Sequence, residues 1–149
     1  MKGYWGLPEE TARAVRDGWY FTGDMGYKDE ENYYYIVDRA KDMIITGGEN
    51  VYSLEVEQVL SAHPAVLECA VFGVPDDRWG EAVKACVVLN APDAARAEDI
   101  LSFAQQRLAN YKTPKTIDIV AELPRSGAGK ILKRALRDQF WTEKGKLIN

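Results

Sequence analysis

Two apolar segments in the middle of the chain constrain the fold more than any other feature. Residues 66–74 (VLECAVFGV) and 82–89 (AVKACVVL) are rich in β-branched side chains, and a loop containing proline, aspartate and glycine separates them. Apolar runs of this length, bounded by turn residues, are typical of strands that lie inside a sheet. The sequence therefore predicts a pair of neighbouring core strands joined by the loop at residues 75–80.

The flanking segments add helices and shorter strands to this pair. Apolar residues at helical spacing predict a helix from Ser53 that ends before Pro64, a second with its buried face running from Ile100 to Tyr111, and a last one around Leu136. Further elements are a short helix near 9–16, strands at 33–37 and 43–46 that form a hairpin around the charged turn 38–42, and a strand near 116–120. This order predicts an α+β fold, a small three-stranded sheet plus a hairpin, covered by helices.

Composition limits both the size and the setting of the protein. With 149 residues and 46% hydrophobic content, the chain can bury the core of one small domain plus an appended piece. A net charge of −4 argues against nonspecific binding of nucleic acid, despite the basic run at 125–137. No apolar run reaches the roughly 18 residues of a membrane span, and the N-terminus lacks the apolar region of a signal peptide. We therefore expect a cytoplasmic location, with Cys69 and Cys86 as reduced, buried thiols because two cysteines are too few for a disulfide framework.

A glycine-flanked lysine stands out near the C-terminus, in the stretch PRSGAGKILKR at residues 124–134. Gly127 and Gly129 give the backbone conformations that other residues avoid, so Lys130 could move into and out of a site, with Arg125 adding charge nearby. The alternative is an ordinary solvated basic face on a helix that follows a turn.

Several motifs, taken together and in order, resemble the adenylate-forming acyl-CoA synthetase family. The longest is YIVDRAKDMIITGGENVYSLEVE at residues 35–57, and the lysine stretch is the second. The others are GYW at 3–5, PEET at 8–11, GWYFTGD at 18–24, HPAV at 63–66, VPDDRWG at 74–80 and YKTP at 111–114. The ending, residues 136–149, is similar to that of bacterial fatty-acyl-CoA ligases.

The resemblance implies a fragment of a longer enzyme. Residues 1–38 correspond to the end of the family's large ATP-binding domain, and residues 39–149 to its small C-terminal lid domain. Members join a carboxylic acid to CoA through an acyl-adenylate, and Mg²⁺ accompanies the ATP. ATP and CoA are substrates of the whole enzyme, and this chain alone would not bind them tightly. The missing large domain would be the main partner, and the chain alone should be inactive. The acyl pocket belongs to that large domain, so the acyl chain remains undetermined.

The same resemblance assigns roles to four residues around the nucleotide. Lys130 corresponds to the adenylation lysine, which bridges the substrate carboxylate and the α-phosphate. Asp24 corresponds to the carboxylate that binds the ribose hydroxyls, with a simple turn aspartate as the alternative. Arg39 corresponds to an arginine that holds ribose and phosphate, with a hairpin salt bridge as the alternative. Lys41 occupies the hinge between the two domains.

A second group corresponds to the family's CoA path. Gly47 and Gly48 match the pair that lines the pantetheine tunnel, although plain turn glycines would look the same. Trp79 and Tyr111 correspond to surface aromatic residues near the CoA nucleotide, and Trp79 could equally be a core residue. Thr113 stands where a relative carries an arginine that contacts a CoA phosphate, so Lys112 and Lys115 are the available substitutes.

The remaining features indicate structural roles or other functions. His63 is the only histidine, and nothing around it forms a catalytic triad or a metal site, so we expect a structural role and no metal centre. The aromatic residues Trp5, Trp19, Tyr20 and Phe21 need a covering surface, which could be another copy of the chain. A binding module, or a lid that acts in trans without turnover of its own, is the alternative function.

Overall fold

The computed structural model describes residues 1–141, so the last part of the ending that resembles fatty-acyl-CoA ligases lies outside the described residues. The chain divides into two compact units, Met1–Lys41 and the part that begins at Asp42. The strand that contains residue 38 continues to Arg39 and pairs within the first unit.

The first unit consists of one helix and two small antiparallel strand pairs. Its elements are α1 (Pro8–Ala14), β1 (Val15–Arg16), β2 (Trp19–Tyr20), β3 (Asp24–Lys28) and β4 (Tyr34–Arg39). β1 pairs with β2, and β3 pairs with β4 with an irregularity between Met25 and Gly26. The aromatic side chains of this unit are largely exposed, as expected from the sequence, with Trp5 at 99% and Trp19 at 74%.

The second unit is built on a five-stranded sheet. Its elements are β5 (Ile44–Thr46), β6 (Glu49–Val51), α2 (Ser53–Ser61), β7 (Val66–Asp76), β8 (Gly80–Leu89), α3 (Ala97–Gln105), β9 (Thr116–Ile119) and α4 (Lys133–Trp141). β7 and β8 are antiparallel along their whole length. The other edge of β8 contacts β5 at the Gly80 end and β9, in parallel, between Lys84 and Val87.

Both faces of the β7–β8 pair are buried, which explains their almost continuous apolar sequence. On one face, residues such as Val71 and Val83 pack with Val56 of α2 and Ile100 of α3. On the other face, Ala70, Phe72, Cys86 and Val88 pack with Leu123 and with Leu136 of α4. The predicted core strands and the α+β fold are therefore confirmed, as are the helix from Ser53 and the last helix.

The predicted hairpin between residues 33–37 and 43–46 is wrong. β4 pairs with β3, and β5 pairs with β6 across a turn at Gly47 and Gly48. Both glycines have positive φ angles, 59° and 86°, which suit a tight two-residue hairpin turn. In the charged segment that was expected to form the turn, residues 38–39 end β4, and residues 40–42 span the boundary between the two units.

The helix that contains Ile100 is shorter than predicted. α3 ends at Gln105, and the chain continues through hydrogen-bonded turns in which Leu108 N–H donates to Ala104 and Thr113 N–H donates to Ala109. Leu108 still packs against the core, whereas Tyr111 is exposed.

Both cysteines are free and buried, as predicted. Burial raises the pKa of each thiol, so both remain protonated at neutral pH. Within residues 1–141, no helix is long and apolar enough to cross a membrane.

The two-sided core makes a testable distinction between two leucines. Leu60 of α2 is fully buried, whereas Leu67 of β7 is 66% exposed. Leu60→Ala should lower the free energy of unfolding by about 2–5 kcal/mol, because it removes buried methyl groups and leaves a cavity. Leu67→Ala is the matched control and should change it by about 0.5 kcal/mol or less. Urea unfolding of the chain measures both, and equal losses would contradict this core.

Candidate functional site

Lys130 lies near the tip of a small, closely hydrogen-bonded hairpin. The chain pairs at its base through an antiparallel bridge between Arg125 and Ile131, and Leu132 N–H donates to the Pro124 carbonyl at 2.8 Å. Nearer the tip, Ser126 N–H donates to the Lys130 carbonyl and Gly129 N–H donates to the Ser126 carbonyl, each at 2.8 Å. We call residues 124–132 the lysine hairpin.

The backbone of this hairpin is fixed rather than loose. Gly129 has a φ of 77°, which favours glycine there, whereas Gly127 has no such φ. Leu123 at its base is buried in the core cluster on the α4 side of the sheet, and Ile131 packs against that cluster. The hairpin that carries Lys130 is therefore anchored to the core at its base.

The guanidinium of Arg125 is bound to groups of the protein, so it is not a free cation beside Lys130. Its guanidinium donates to the Gly129 carbonyl at 2.8 Å and forms an ion pair with Glu68 of β7. Lys130 differs, because its side chain is exposed and no carboxylate of residues 1–141 lies within ion-pair distance of its ammonium.

Lys133 is also tied down, at the start of α4. Its ammonium lies 2.7 Å from Glu57 Oε1 and donates to Ser53 Oγ at 2.7 Å. Glu57 also accepts a hydrogen bond from Val71 N–H at 2.8 Å. This cluster connects α4 to α2 and β7, so Lys133 has a structural role immediately after the lysine hairpin.

Asp24 and Arg39 face each other across the β3–β4 pair. They are register partners, and Arg39 Nε lies 3.4 Å from Asp24 Oδ1. The turn before Asp24 is closed by its own N–H, which donates to Thr22 Oγ1 at 3.0 Å. The structure therefore brings the two predicted nucleotide residues together, and it also forms the hairpin salt bridge that was the alternative for Arg39. Lys41 is exposed and is the last residue of the first unit.

A groove of about 170 Å³ lies on the second unit, beside the β5–β6 turn. It is lined by Thr46, Gly47, Glu49, Trp79, Asn110, Tyr111 and Lys115. Gly47, Trp79 and Tyr111 were predicted from the sequence, whereas Thr46, Glu49 and Asn110 were missed because ordinary polar residues beside turns give no distinctive signal. Gly48 does not line the groove.

Gly47 has a second reason to be glycine. Its N–H donates to the Trp79 carbonyl at 2.8 Å, and a Cβ added at this position would lie 2.9 Å from Cε3 of the Trp79 ring. The turn and the indole therefore fit together only without a side chain here. Trp79 is 42% exposed and forms one wall of the groove, so it is not a core residue.

The side chains of the two residues after Tyr111 bind other groups of the protein. The Lys112 ammonium lies 2.7 Å from Glu55 Oε1, and its hydrogen bond with this carboxylate raises the pKa of Lys112. Thr113 is buried, and its hydroxyl donates to the Ala109 carbonyl at 3.2 Å. Lys115 is the exposed cation that reaches the groove.

Comparison with known proteins identifies the family of the chain. The AMP-binding enzyme C-terminal domain family matches residues 55–130, a range that includes Trp79, Tyr111, Lys115 and the lysine hairpin up to Lys130. The chain belongs to this family. The predicted adenylate-forming family and its fold are thereby confirmed.

Individual relatives of this AMP-binding enzyme C-terminal domain are ligases. The long-chain-fatty-acid–CoA ligase of Bacillus subtilis is 55% identical over 139 residues, which cover 93% of the chain and 25% of that ligase. A feruloyl-CoA synthase of Amycolatopsis is 50% identical over 140 residues, which cover 94% of the chain and 28% of that enzyme. The solved structure of o-succinylbenzoate CoA synthetase (MenE) from Bacillus subtilis, in complex with the acyl-adenylate intermediate OSB-AMP, has a TM-score of 0.84 at 40% identity and covers 99% of the chain. The chain spans 25–29% of the length of these relatives.

His63 has structural contacts. Its Nδ1 accepts a hydrogen bond from Ala65 N–H at 3.2 Å after the end of α2, and its ring packs edge-on against Phe103 at 5.0 Å. In the part of the chain that the structure describes, no group of three or more His, Cys, Asp or Glu side chains could hold a metal ion.

The groove predicts different effects for its two turn glycines. Both have positive φ, so replacement by alanine should cost each variant about 1–2 kcal/mol of unfolding free energy. Gly47→Ala should lose more than Gly48→Ala, because only the Cβ at 47 meets the Trp79 ring, whereas nothing lies within 4 Å of one at 48. Urea unfolding of the two variants gives the comparison. A smaller loss for Gly47→Ala would show that Trp79 does not pack on this turn.

Proposed function

We propose that the chain is the C-terminal part of an ATP-dependent acyl-CoA synthetase. This acid–thiol ligase converts a fatty acid, ATP and CoA into acyl-CoA, AMP and pyrophosphate. The observation that carries the proposal is Lys130, an exposed ammonium on a fixed hairpin whose neighbouring cations Arg125 and Lys133 are paired. Identity of 55% to a long-chain-fatty-acid–CoA ligase supports the reaction class.

Lys130 would catalyse the first step. A carboxylate that attacks the α-phosphate of ATP brings two negative groups together, and the transition state gathers further charge on the phosphate oxygens. An ammonium placed between them lowers this repulsion and stabilises the transition state. Lysine suits the task because it is a compact point charge on a flexible stem.

Asp24 and Arg39 would bind the nucleotide. The Asp24 carboxylate would accept hydrogen bonds from the ribose hydroxyls, while Arg39 would hold ribose and phosphate. Their pairing at 3.4 Å keeps the two side chains adjacent before ATP binds. Mg²⁺ would arrive with ATP and be bound chiefly by the large domain.

The division of the chain supports the assignment of its parts. Residues 1–38 would be the end of the large ATP-binding domain and residues 39–149 the lid domain, with Lys41 as the hinge that lets the lid serve both steps. The compact units divide directly after Lys41, which is the proposed hinge and lies close to this boundary. The large domain would cover exposed aromatics such as Trp5 and Trp19; without it, this surface would favour a homo-oligomer. The enzyme would work in the cytoplasm.

The groove would belong to the CoA path. Trp79, Tyr111 and Lys115 line the groove. The two rings would offer aromatic surface to a nucleotide, and Lys115 would offer a cation to a phosphate. The bare backbone of Gly47 and Gly48 would let the pantetheine arm pass close to the β5–β6 turn.

A hybrid enzyme tests the role of Lys130. We define it as the Bacillus subtilis long-chain-fatty-acid–CoA ligase with its C-terminal part replaced by this chain. Lys130→Ala should slow acyl-adenylate formation by about 100-fold or more, because a charge that stabilises the transition state is removed. The release of pyrophosphate measures this step. Thioester formation from a prepared acyl-adenylate and CoA should remain within about twofold.

The matched control is Arg134→Ala, which removes another exposed cation that pairs only locally, with Asp138. It should leave both steps unchanged. Equal loss of both steps in Lys130→Ala, or no loss at all, would contradict the proposal. A hybrid that never turns over, while this chain binds a partner tightly, would favour a binding module. The chain without any large domain should form no acyl-CoA.

The CoA path gives a second test in the same hybrid enzyme. Lys115→Ala should raise KM for CoA about tenfold, because a charged hydrogen bond to phosphate is lost. Lys112→Ala, which removes the cation paired with Glu55, should raise KM for CoA less. A larger effect from Lys112 would assign the phosphate contact to that residue, the other substitute that the sequence offered.

A further inference from the structure

The guanidinium of Arg125 connects the tip of the lysine hairpin to the sheet. One nitrogen, Nη1, donates to the Gly129 carbonyl at 2.8 Å, and the other, Nη2, pairs with Glu68 of β7. The Gly129 carbonyl belongs to the peptide bond that leads directly into Lys130. Arg125 therefore holds the peptide plane next to Lys130 and connects it to β7, a strand of the core.

The tip needs such a connection because side chains do not confine it. Nothing lies within 4 Å of a Cβ built on Gly127 or Gly129, and both residues are exposed. Hydrogen bonds alone then hold the turn. Ser126 contributes its backbone bonds and a hydroxyl that accepts Lys130 N–H at 3.2 Å, and Arg125 contributes its bond to the Gly129 carbonyl. Two glycines in a solvent-exposed turn would otherwise sample several backbone conformations.

We infer that Arg125 is a positioning residue for Lys130, and that Glu68 holds Arg125 in place. This inference rests on the proposed function of Lys130. Arg125 acts on the acyl-adenylate-forming step through the backbone, without contacting the substrates.

Arginine suits this role because its planar fork donates in two directions at once. A lysine has one ammonium and cannot reproduce the geometry in which two acceptors are bound by two separate nitrogens. Arg125 is 46% exposed and Glu68 is 24% exposed, so solvent screens the pair and its contribution to stability is small. Small displacements of a catalytic group nevertheless slow a reaction strongly. The expected effect is therefore on rate rather than on folding.

The hybrid enzyme allows a test with four variants: Arg125→Ala, Arg125→Lys, Glu68→Ala and the double alanine variant. Arg125→Ala should slow acyl-adenylate formation by about 10- to 100-fold and leave thioester formation from prepared acyl-adenylate unchanged. Arg125→Lys should not restore the rate. The double variant should be no slower than Arg125→Ala, because both residues act through one connection. Arg134→Ala is the matched control for loss of an exposed ion pair.

Amide hydrogen exchange of the chain itself gives a readout that needs no turnover. Arg125→Ala should speed exchange of the Gly129 and Lys130 amides, while amides of β7 and β8 stay protected. A general loss of protection would mean that Arg125 is merely structural and would overturn the inference.

The outcomes separate the inference from the proposed function. If Lys130→Ala does not slow acyl-adenylate formation selectively, the proposed function fails. If Lys130→Ala does so but Arg125→Ala does not, only the role of Arg125 fails. If Arg125→Lys restores the rate and Glu68→Ala has no effect, Arg125 acts as a charge on the substrates, and the positioning role is again excluded.

Discussion

The burial of both faces of the β7–β8 pair is the constraint on which the rest of the second unit depends. α2 and α3 cover one face, and α4 covers the other. Because the pair is fixed on both sides, the segments that leave its ends are fixed as well. The loop between the two strands presents Trp79 to the groove, and the core cluster beneath α4 holds Leu123 at the base of the lysine hairpin.

Ion pairs between distant parts of the chain complete this framework. Lys133 joins α4 to Glu57 of α2, and Lys112 joins the turn after α3 to Glu55 at the start of α2. Lys84 of β8 is 8% exposed at its side chain and pairs with Asp118 of β9 at 2.8 Å. A partly buried charge that is paired and hydrogen-bonded avoids the desolvation cost of an isolated one. These lysines therefore hold elements together, whereas Lys130 and Lys115 are exposed and can meet a ligand.

The sequence could not separate these two kinds of lysine. Lys112 and Lys115 lie three residues apart in the YKTPK segment, and local pattern gives no reason to prefer one of them. The partner that decides between them, Glu55, lies 57 residues away from Lys112. The failed hairpin prediction has a similar cause. Residues 33–37 and 43–46 both have strand character, but pairing is chosen by long-range geometry, and each segment found a different neighbour.

The sequence by itself determined the core strands, the presence of the helices that cover them and the family, and it singled out Asp24, Arg39 and Lys130 as candidates. Those features depend on residue type, periodicity and motif, which are properties of adjacent residues along the chain. Only the tertiary structure decided that Asp24 and Arg39 are cross-strand partners, that Gly47 must accommodate the Trp79 ring, and that Arg125 is tied to Glu68 rather than free. The Asp24–Arg39 contact depends on the pairing of β3 with β4 in the first unit. The other two join residues far apart in sequence, and they form only when the buried sheet of the second unit brings its loops and strands together.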